Sequence, residues 1–261
     1  METNSVGVEG IPDSMEEAPG GVVKVPVHGR IIDITTPISP LTNVFPGDPI
    51  PEIERVCTLE KEGCAVSKLS FGSHTGTHVD APSHILKNGL TSDKLELKNL
   101  MGTALILDFS SFSGALNAEI LEQAFRNTKA PKNTPVLLLK TDTFSRKPVS
   151  TGEVNPQDAE SGSQERESGK KESVPAYLDE SGAAWIIEKG FRTIGTDGLS
   201  VDNLYSETLP AHHTLFAGNV NIVECLELGS VEAGTYFFLC LPLKIEGCDG
   251  APARALLISY S

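Results

Sequence analysis

The sequence has no hydrophobic run of membrane-spanning length. Its longest strongly apolar stretch, YFFLCLPL, is the size of a strand. The first 21 residues hold five acids and neither Lys nor Arg, which argues against a secretory signal or a basic transit peptide there. The expected compartment is therefore the cytoplasm. Five cysteines, Cys57, Cys64, Cys225, Cys240 and Cys248, form no C-x-x-C pair. An odd count, with Cys57, Cys225 and Cys240 in apolar runs, reads as reduced, mostly buried thiols. There is no cluster of Lys and Arg to meet a phosphate backbone, so nucleic acid is not an expected partner. Internal repeats are absent, and so is a G-x-S-x-G serine elbow, which leaves covalent serine catalysis without its usual carrier.

Acid is in excess, with a formal net charge of −14, but the excess is localised. Residues 1–21 contribute −5, and residues 150–180, with eight acids against three bases, contribute another −5. Ten of the fourteen charges thus fall in segments that read as loops, where they serve solubility more than recognition. A chain of 261 residues can bury a full core without disulfides.

Residues 1–29 are rich in Gly, Pro and Glu without a period and read as a disordered acidic tail. RIIDITTPI begins the ordered part as an alternating strand stopped by prolines. PEIERVCTL and CAVSKLSF, separated by EKEG, read as a hairpin. GTALILDFS and PVLLLKT are apolar strands flanking NAEILEQAFRNT, a helix capped by Asn117 with Ile120, Leu121, Ala124 and Phe125 on one face, and together they form a β-α-β unit. Residues 145–176 are low in complexity and read as an inserted loop. YLDESGAAWIIEKG reads as a helix ending at Gly190. Beyond it come a strand TIGTD, a short helix around AHHTLFAG, and strands VNIVECL, TYFFLCLPLKI and ARALLISY. Neither half is self-sufficient, so residues 30–261 are expected to form one α+β domain carrying the insert.

What the chain does have is HTGTHVDAPSH, residues 74–84, which holds three of its six histidines and a carboxylate. A lone histidine is usually a surface or hydrogen-bonded residue, and H-x-x-x-H occurs by chance on helix faces. Four candidate groups among small residues point instead to a divalent metal, for which imidazole and carboxylate are suitable donors. Gly76 and Pro82 oppose a regular helix, so the motif is expected on a loop after a strand. A second group, AHHTLFAGNVNIVE, carries His212, His213 and Glu224. A carboxylate inside the apolar VNIVECL needs a partner, and a metal is a natural one. Cys225 follows Glu224 and is expected on the opposite strand face, away from the metal. His28, in the acidic tail, carries no functional reading.

On H-x-G-T-H-x-D-x-P-x-H the sequence resembles the cyclase-like metal-dependent hydrolases, a family that includes bacterial kynurenine formamidase and isatin hydrolase. The resemblance extends to PGD at residues 46–48, to GLTSDKLELKNLMGTALILDFS, to IVECL and to LPLKIEGCDGAPARALLI, and it spans residues 30–142 and 178–260. It implies a twisted, barrel-like mixed sheet flanked by helices, assembled as a homodimer or homotetramer. It implies two divalent ions per subunit, zinc or manganese, with His74, His78 and Asp80 on one and Asp80 bridging to the other. The family's later histidine lies twelve residues before a bridging glutamate, which selects His212 and Glu224 and leaves His213 as a neighbour. His84 would be the general acid and base, near the metals without binding them.

The resemblance also implies a small-molecule substrate and metal-dependent hydrolysis of an aryl formamide such as N-formylkynurenine. A lactam or lactone ring-opening hydrolase is the alternative, and a non-catalytic metal-binding protein a third reading that the intact His84 opposes. Three departures bear on the substrate. The formamidases often have Trp before PGD, contacting the aromatic ring, where this chain has Phe45. The family's D-T-P-S-V-D stretch stands here as DGLSVD, residues 197–202, and the insert has no recognised counterpart.

Overall fold

The computed structural model describes residues 29–141 and 174–260. The acidic tail before Gly29, with His28, lies outside the described residues, as does the insert up to residue 173. The last three residues assigned to the insert belong to the fold: Pro175 bridges Ser113, and Ala176 is buried.

Chain order begins β1 (Ile31–Asp33), β2 (Glu52–Cys57), α1 (Leu59–Glu62), β3 (Val66–Ser70) and β4 (His78–Asp80). Then come β5 (Met101–Asp108), β6 (Ala115–Leu116), α2 (Ala118–Arg126) and β7 (Val136–Lys140). After the insert follow β8 (Tyr177–Leu178), α3 (Glu180–Glu188), β9 (Thr193–Thr196), α4 (Pro210–Ala217), β10 (Asn221–Glu224), β11 (Gly234–Pro242) and β12 (Gly250–Ser259).

Most strands fall where alternation predicts them, with three differences. Tyr177 and Leu178 pair with Ala115 and Leu116 as a short parallel ladder, and do not start the next helix. That helix begins one residue past Asp179, whose carboxylate accepts the Gly182 N–H at 2.8 Å. The histidine motif, expected wholly on a loop, places His78–Asp80 in a strand, because β10 and β12 offer it ladders on both sides. Those partners lie far away in sequence and leave no local signal. The thiols also differ from expectation: all five are free, but only Cys225 and Cys240 are buried, while Cys64 is exposed on the β2–β3 hairpin.

β12, β11, β5, β7, β9, β10 and β4 form a continuous mixed sheet, and the β12–β4 pairing closes it into a barrel, with β1 added along β12. The β5–β7, β7–β9 and β9–β10 pairs are parallel, and the others are antiparallel. The period-2 alternation divides the core. Ala104, Ile106, Val136, Leu138 and Val223 fill the barrel with Phe238 and Leu257. Leu105, Leu107, Leu137, Leu139 and Ile222 face outward to α2, α3 and α4, where Leu121, Ile186, Leu215 and Phe216 cover them. α2 has the expected cap, the Asn117 side-chain oxygen accepting the Ile120 N–H at 2.9 Å. No helix among the described residues is long and apolar enough to cross a membrane.

Barrel closure requires a narrow interior, and Gly195 in β9 marks it. A Cβ there would lie 2.6 Å from the Leu138 side chain and 2.7 Å from that of Leu226. Gly195→Ala is expected to cost about 1–3 kcal/mol by overpacking, read as a lowered thermal midpoint with unchanged far-ultraviolet dichroism. An unchanged midpoint would mean that the interior has slack.

Candidate metal centre

β4 and β10 run antiparallel with Glu224 opposite His78 and Ile222 opposite Asp80. His78, Asp80 and Glu224 therefore share the sheet face that the helices cover, while Val79 and Val223 point into the barrel. α4 carries His212 over the same face. His74 arrives from the loop after β3, its ring lying over the start of β12. A Cβ on Gly250 would be 2.9 Å from Cε1 of that ring, so the close approach depends on glycine.

Each imidazole has one nitrogen held from outside and the other turned inward. His78 Nδ1 lies 2.8 Å from the Gly76 carbonyl, and His212 Nδ1 lies 2.7 Å from Asp202 Oδ2. His74 Nε2 lies 3.2 Å from Asp249 Oδ2. The opposite nitrogens converge on the carboxylates. His74 Nδ1 is 2.7 Å and His78 Nε2 3.1 Å from Asp80 Oδ1. His212 Nε2 is 3.2 Å from Asp80 Oδ2 and 3.5 Å from Glu224 Oε1, and His78 Nε2 is 3.6 Å from Glu224 Oε2. Glu224 also accepts the Val201 N–H at 2.7 Å.

This donor set fits divalent cations. Among the described residues, three groups bring their donor atoms within 4.8 Å of one another: the buried sets {His74, His78, Asp80} and {Asp80, His212, Glu224}, which share Asp80, and at the rim {His74, His84, Asp249}. His78 Nε2 is fully buried without a hydrogen-bond partner of good geometry. Such an atom, facing two carboxylates in the interior, is what a cation would satisfy.

Electrostatics agree with the geometry. Burial opposes charge on every group here, yet it is outweighed. His78 protonation, together with hydrogen bonds from His212 and His74, holds Asp80 well below the usual carboxylate range. Against the same burial, Asp202, Asp80 and Glu224 push His212 up to about 10, and Asp80 raises His74 and, by more, His78. His84 differs. It is 30% exposed, its ring 4.2 Å from that of His74 and 6.0 Å from that of His212. Burial, followed by the opposing influence of Asp80 and the repulsion of His74 and His212, leaves its pKa lowered. His84 thus sits at the rim of the cluster with its basicity lowered where that of its neighbours is raised.

The structure brings together His74, His78, Asp80, His84, His212 and Glu224, and leaves His213 exposed on the outer side of α4. Phe45 is half-buried before the PGD turn, its carbonyl accepting the Asp48 N–H at 3.0 Å. At Cys225 the strand pattern does not hold: the strand ends at Glu224, and Cys225 adopts a left-handed φ of 58°, so alternation stops before its thiol. It nevertheless joins none of the metal-capable groups. Its carbonyl accepts the Thr36 and Thr77 hydroxyls, at 2.7 Å and 2.6 Å.

Two acids that sequence reasoning did not single out complete the site. Asp202 accepts the Ala211 and His212 N–H groups at 2.8 Å and 3.0 Å and so anchors both the start of α4 and the His212 ring. An acid ten residues before a candidate ligand was the available signal. Asp249 has none beyond its place in GCDGAP.

Metal uptake at neutral pH is expected to release protons, because imidazoles raised by their carboxylates must give up their protons to coordinate. The affinity should rise with pH towards the His212 value of about 10. Calorimetry in buffers of different ionisation enthalpy measures this, and a buffer-independent heat would contradict it. Gly250→Ala is expected to displace the His74 ring and lower bound metal, read by elemental analysis.

Comparisons with known proteins bear on the family of the chain. The Cyclase family matches residues 32–203. A kynurenine formamidase of Salinibacter ruber is 34% identical over 231 residues, covering 87% of this chain and 96% of that protein. A solved structure described as a potential metal-dependent hydrolase with cyclase activity aligns with a TM-score of 0.64 and 26% identity, over 89% of this chain and 98% of the other. An isatin hydrolase bound to thioisatinate aligns with a TM-score of 0.73 over 88% and 92% of the two chains, at 21% identity, a likeness of fold.

Proposed function

The chain belongs to the Cyclase family, and from that premise we propose that it is a metal-dependent hydrolase cleaving the C–N bond of an aryl formamide of the N-formylkynurenine type. The observation that carries this reading is His84: a partly exposed imidazole placed beside a buried cluster of three other imidazoles and two carboxylates. The formamidase relatives, 31–34% identical over nearly their whole length, support the substrate class.

In this reading His74, His78 and Asp80 hold one divalent ion, and Asp80, His212 and Glu224 a second, zinc or manganese. A divalent metal supplies Lewis acidity, activating water near neutral pH and polarising a carbonyl. The chain's own residues do the rest. Gly76, Asp202 and Asp249 fix which imidazole nitrogens face inward. His84 accepts the proton of the attacking water and returns it to the amide nitrogen as the C–N bond breaks, so that formate and a neutral arylamine leave. Phe45, standing where the formamidases often have Trp, contacts the aromatic ring. The chain works in the cytoplasm as a homodimer or homotetramer, an assembly that light scattering would report.

Incubating the zinc- or manganese-loaded protein with N-formylkynurenine is expected to release formate, and dialysis against a chelator should abolish the release. No turnover with any divalent metal, or faster opening of isatin, would overturn the reading. His84→Ala is expected to retain metal and lose about 10²–10⁴ in kcat, the usual worth of general acid–base catalysis. The loss should be smaller for an activated ester, whose leaving group needs no proton. Loss of metal in this variant would make His84 a ligand.

A further inference from the structure

Asp249 is the carboxylate that reaches both a histidine of the buried cluster and the histidine at its rim. Its Oδ1 accepts the Ser73 hydroxyl at 2.9 Å and also lies 3.5 Å from Cys248 Sγ. Its backbone carbonyl accepts the Ala81 N–H at 2.9 Å, tying the start of β12 to the end of β4. The His84 N–H in turn donates to the Ala81 carbonyl at 2.8 Å. Both residues are thus referenced to one short piece of backbone, and Oδ2 of Asp249 is left facing His74 Nε2 at 3.2 Å and His84 Nδ1 at 3.7 Å. The longer distance exceeds a hydrogen bond. Contacts of this kind are often long in the free protein and tighten only in the substrate complex.

A neutral imidazole carries its proton on one nitrogen and accepts on the other, and the hydrogen bond made by one sets the role of the other. We propose that Asp249 is a positioning residue for His84: its carboxylate selects the tautomer protonated on Nδ1 and leaves Nε2 as the nitrogen that takes and returns the proton. Asp249 would then orient two histidines at once, one in the metal cluster and one at its edge. The kinetic consequence rests on the reading of His84 as the proton carrier; the tautomer does not.

The test uses the zinc-loaded protein labelled with ¹⁵N-histidine, with the His84 resonances assigned by comparison with His84→Ala. Long-range ¹H–¹⁵N correlation is expected to show a protonated Nδ1 and an unprotonated Nε2 on His84. In Asp249→Ala the proton should move to Nε2, the position favoured by a free imidazole side chain. Should Asp249→Ala fail to fold, the isosteric Asp249→Asn is expected to bring the Nε2–H form into population. A wild-type His84 protonated on Nε2, or a tautomer unaffected by both substitutions, would overturn the proposal. In kinetics at saturating zinc, Asp249→Ala should lower kcat about tenfold or more, a part of the general acid–base term, with KM unchanged. It should have no further effect in a His84→Ala background. The same factor in both backgrounds would mean that Asp249 acts through His74 alone. If the wild type turns over no formamide, the functional reading fails, and the correlation spectrum still decides the tautomer.

Discussion

Two carboxylates on neighbouring antiparallel strands, Asp80 and Glu224, are buried within reach of the same imidazoles. Much else in the molecule answers that arrangement. Buried carboxylates without compensation cost several kcal/mol each, so positive charge must be supplied. His74, His78 and His212 supply it as protonated imidazoles or by sharing cations. The raised imidazoles and the depressed Asp80 express the same attraction, seen from its two sides. Because the charge is the common currency, proton and metal compete for the same inward nitrogens.

The barrel makes the arrangement possible. β4 is only three residues long and would not stand as a strand alone. Pairing with β10 on one side and with the first residues of β12 on the other fixes its register, so that His78 and Asp80 face one way and Val79 the other. A slip of one residue would bury Val79 against the helices and turn the ligands into the apolar interior. The Leu, Val and Phe side chains inside the barrel therefore serve the site through register. Asp202 provides the same service for the helix, since its carboxylate anchors both the backbone start of α4 and the ring of His212.

Local features were legible in the sequence, and distant pairings were not. The motif from His74 to His84 carries its donors within eleven residues, so composition alone reveals it. The strand–helix–strand from Met101 to Lys140 shows its period and its Asn117 cap plainly. Glu224 was found because a carboxylate inside an apolar strand is anomalous. Asp202 and Asp249 escaped notice because acids in Gly-rich loops are ordinary, and only the fold shows which imidazole each one meets. At Cys225 alternation was extrapolated one residue past the end of its strand, into a left-handed backbone where it no longer applies. The β4 strand was missed because both of its partners lie more than a hundred residues away.

One histidine stands apart in this architecture. His74, His78 and His212 all gain basicity from carboxylates, which makes them good ligands but poor bases near neutral pH once their inward nitrogens are engaged. His84 follows Asp80 by four residues, in a one-turn 3₁₀ segment that begins at Pro82, immediately after β4 ends. The turn carries its ring away from Asp80 and Glu224 towards solvent, while keeping it 4.2 Å from the His74 ring. Burial there, joined by the repulsion of His74 and His212, outweighs the pull of Asp80, so its pKa falls while its neighbours' rise. A group that must accept a proton and return it within one turnover works best when its pKa lies near the working pH. The division between ligands and base is thus set by a change of backbone: the strand buries two donors of the motif among carboxylates, and the turn withdraws the last one to the rim.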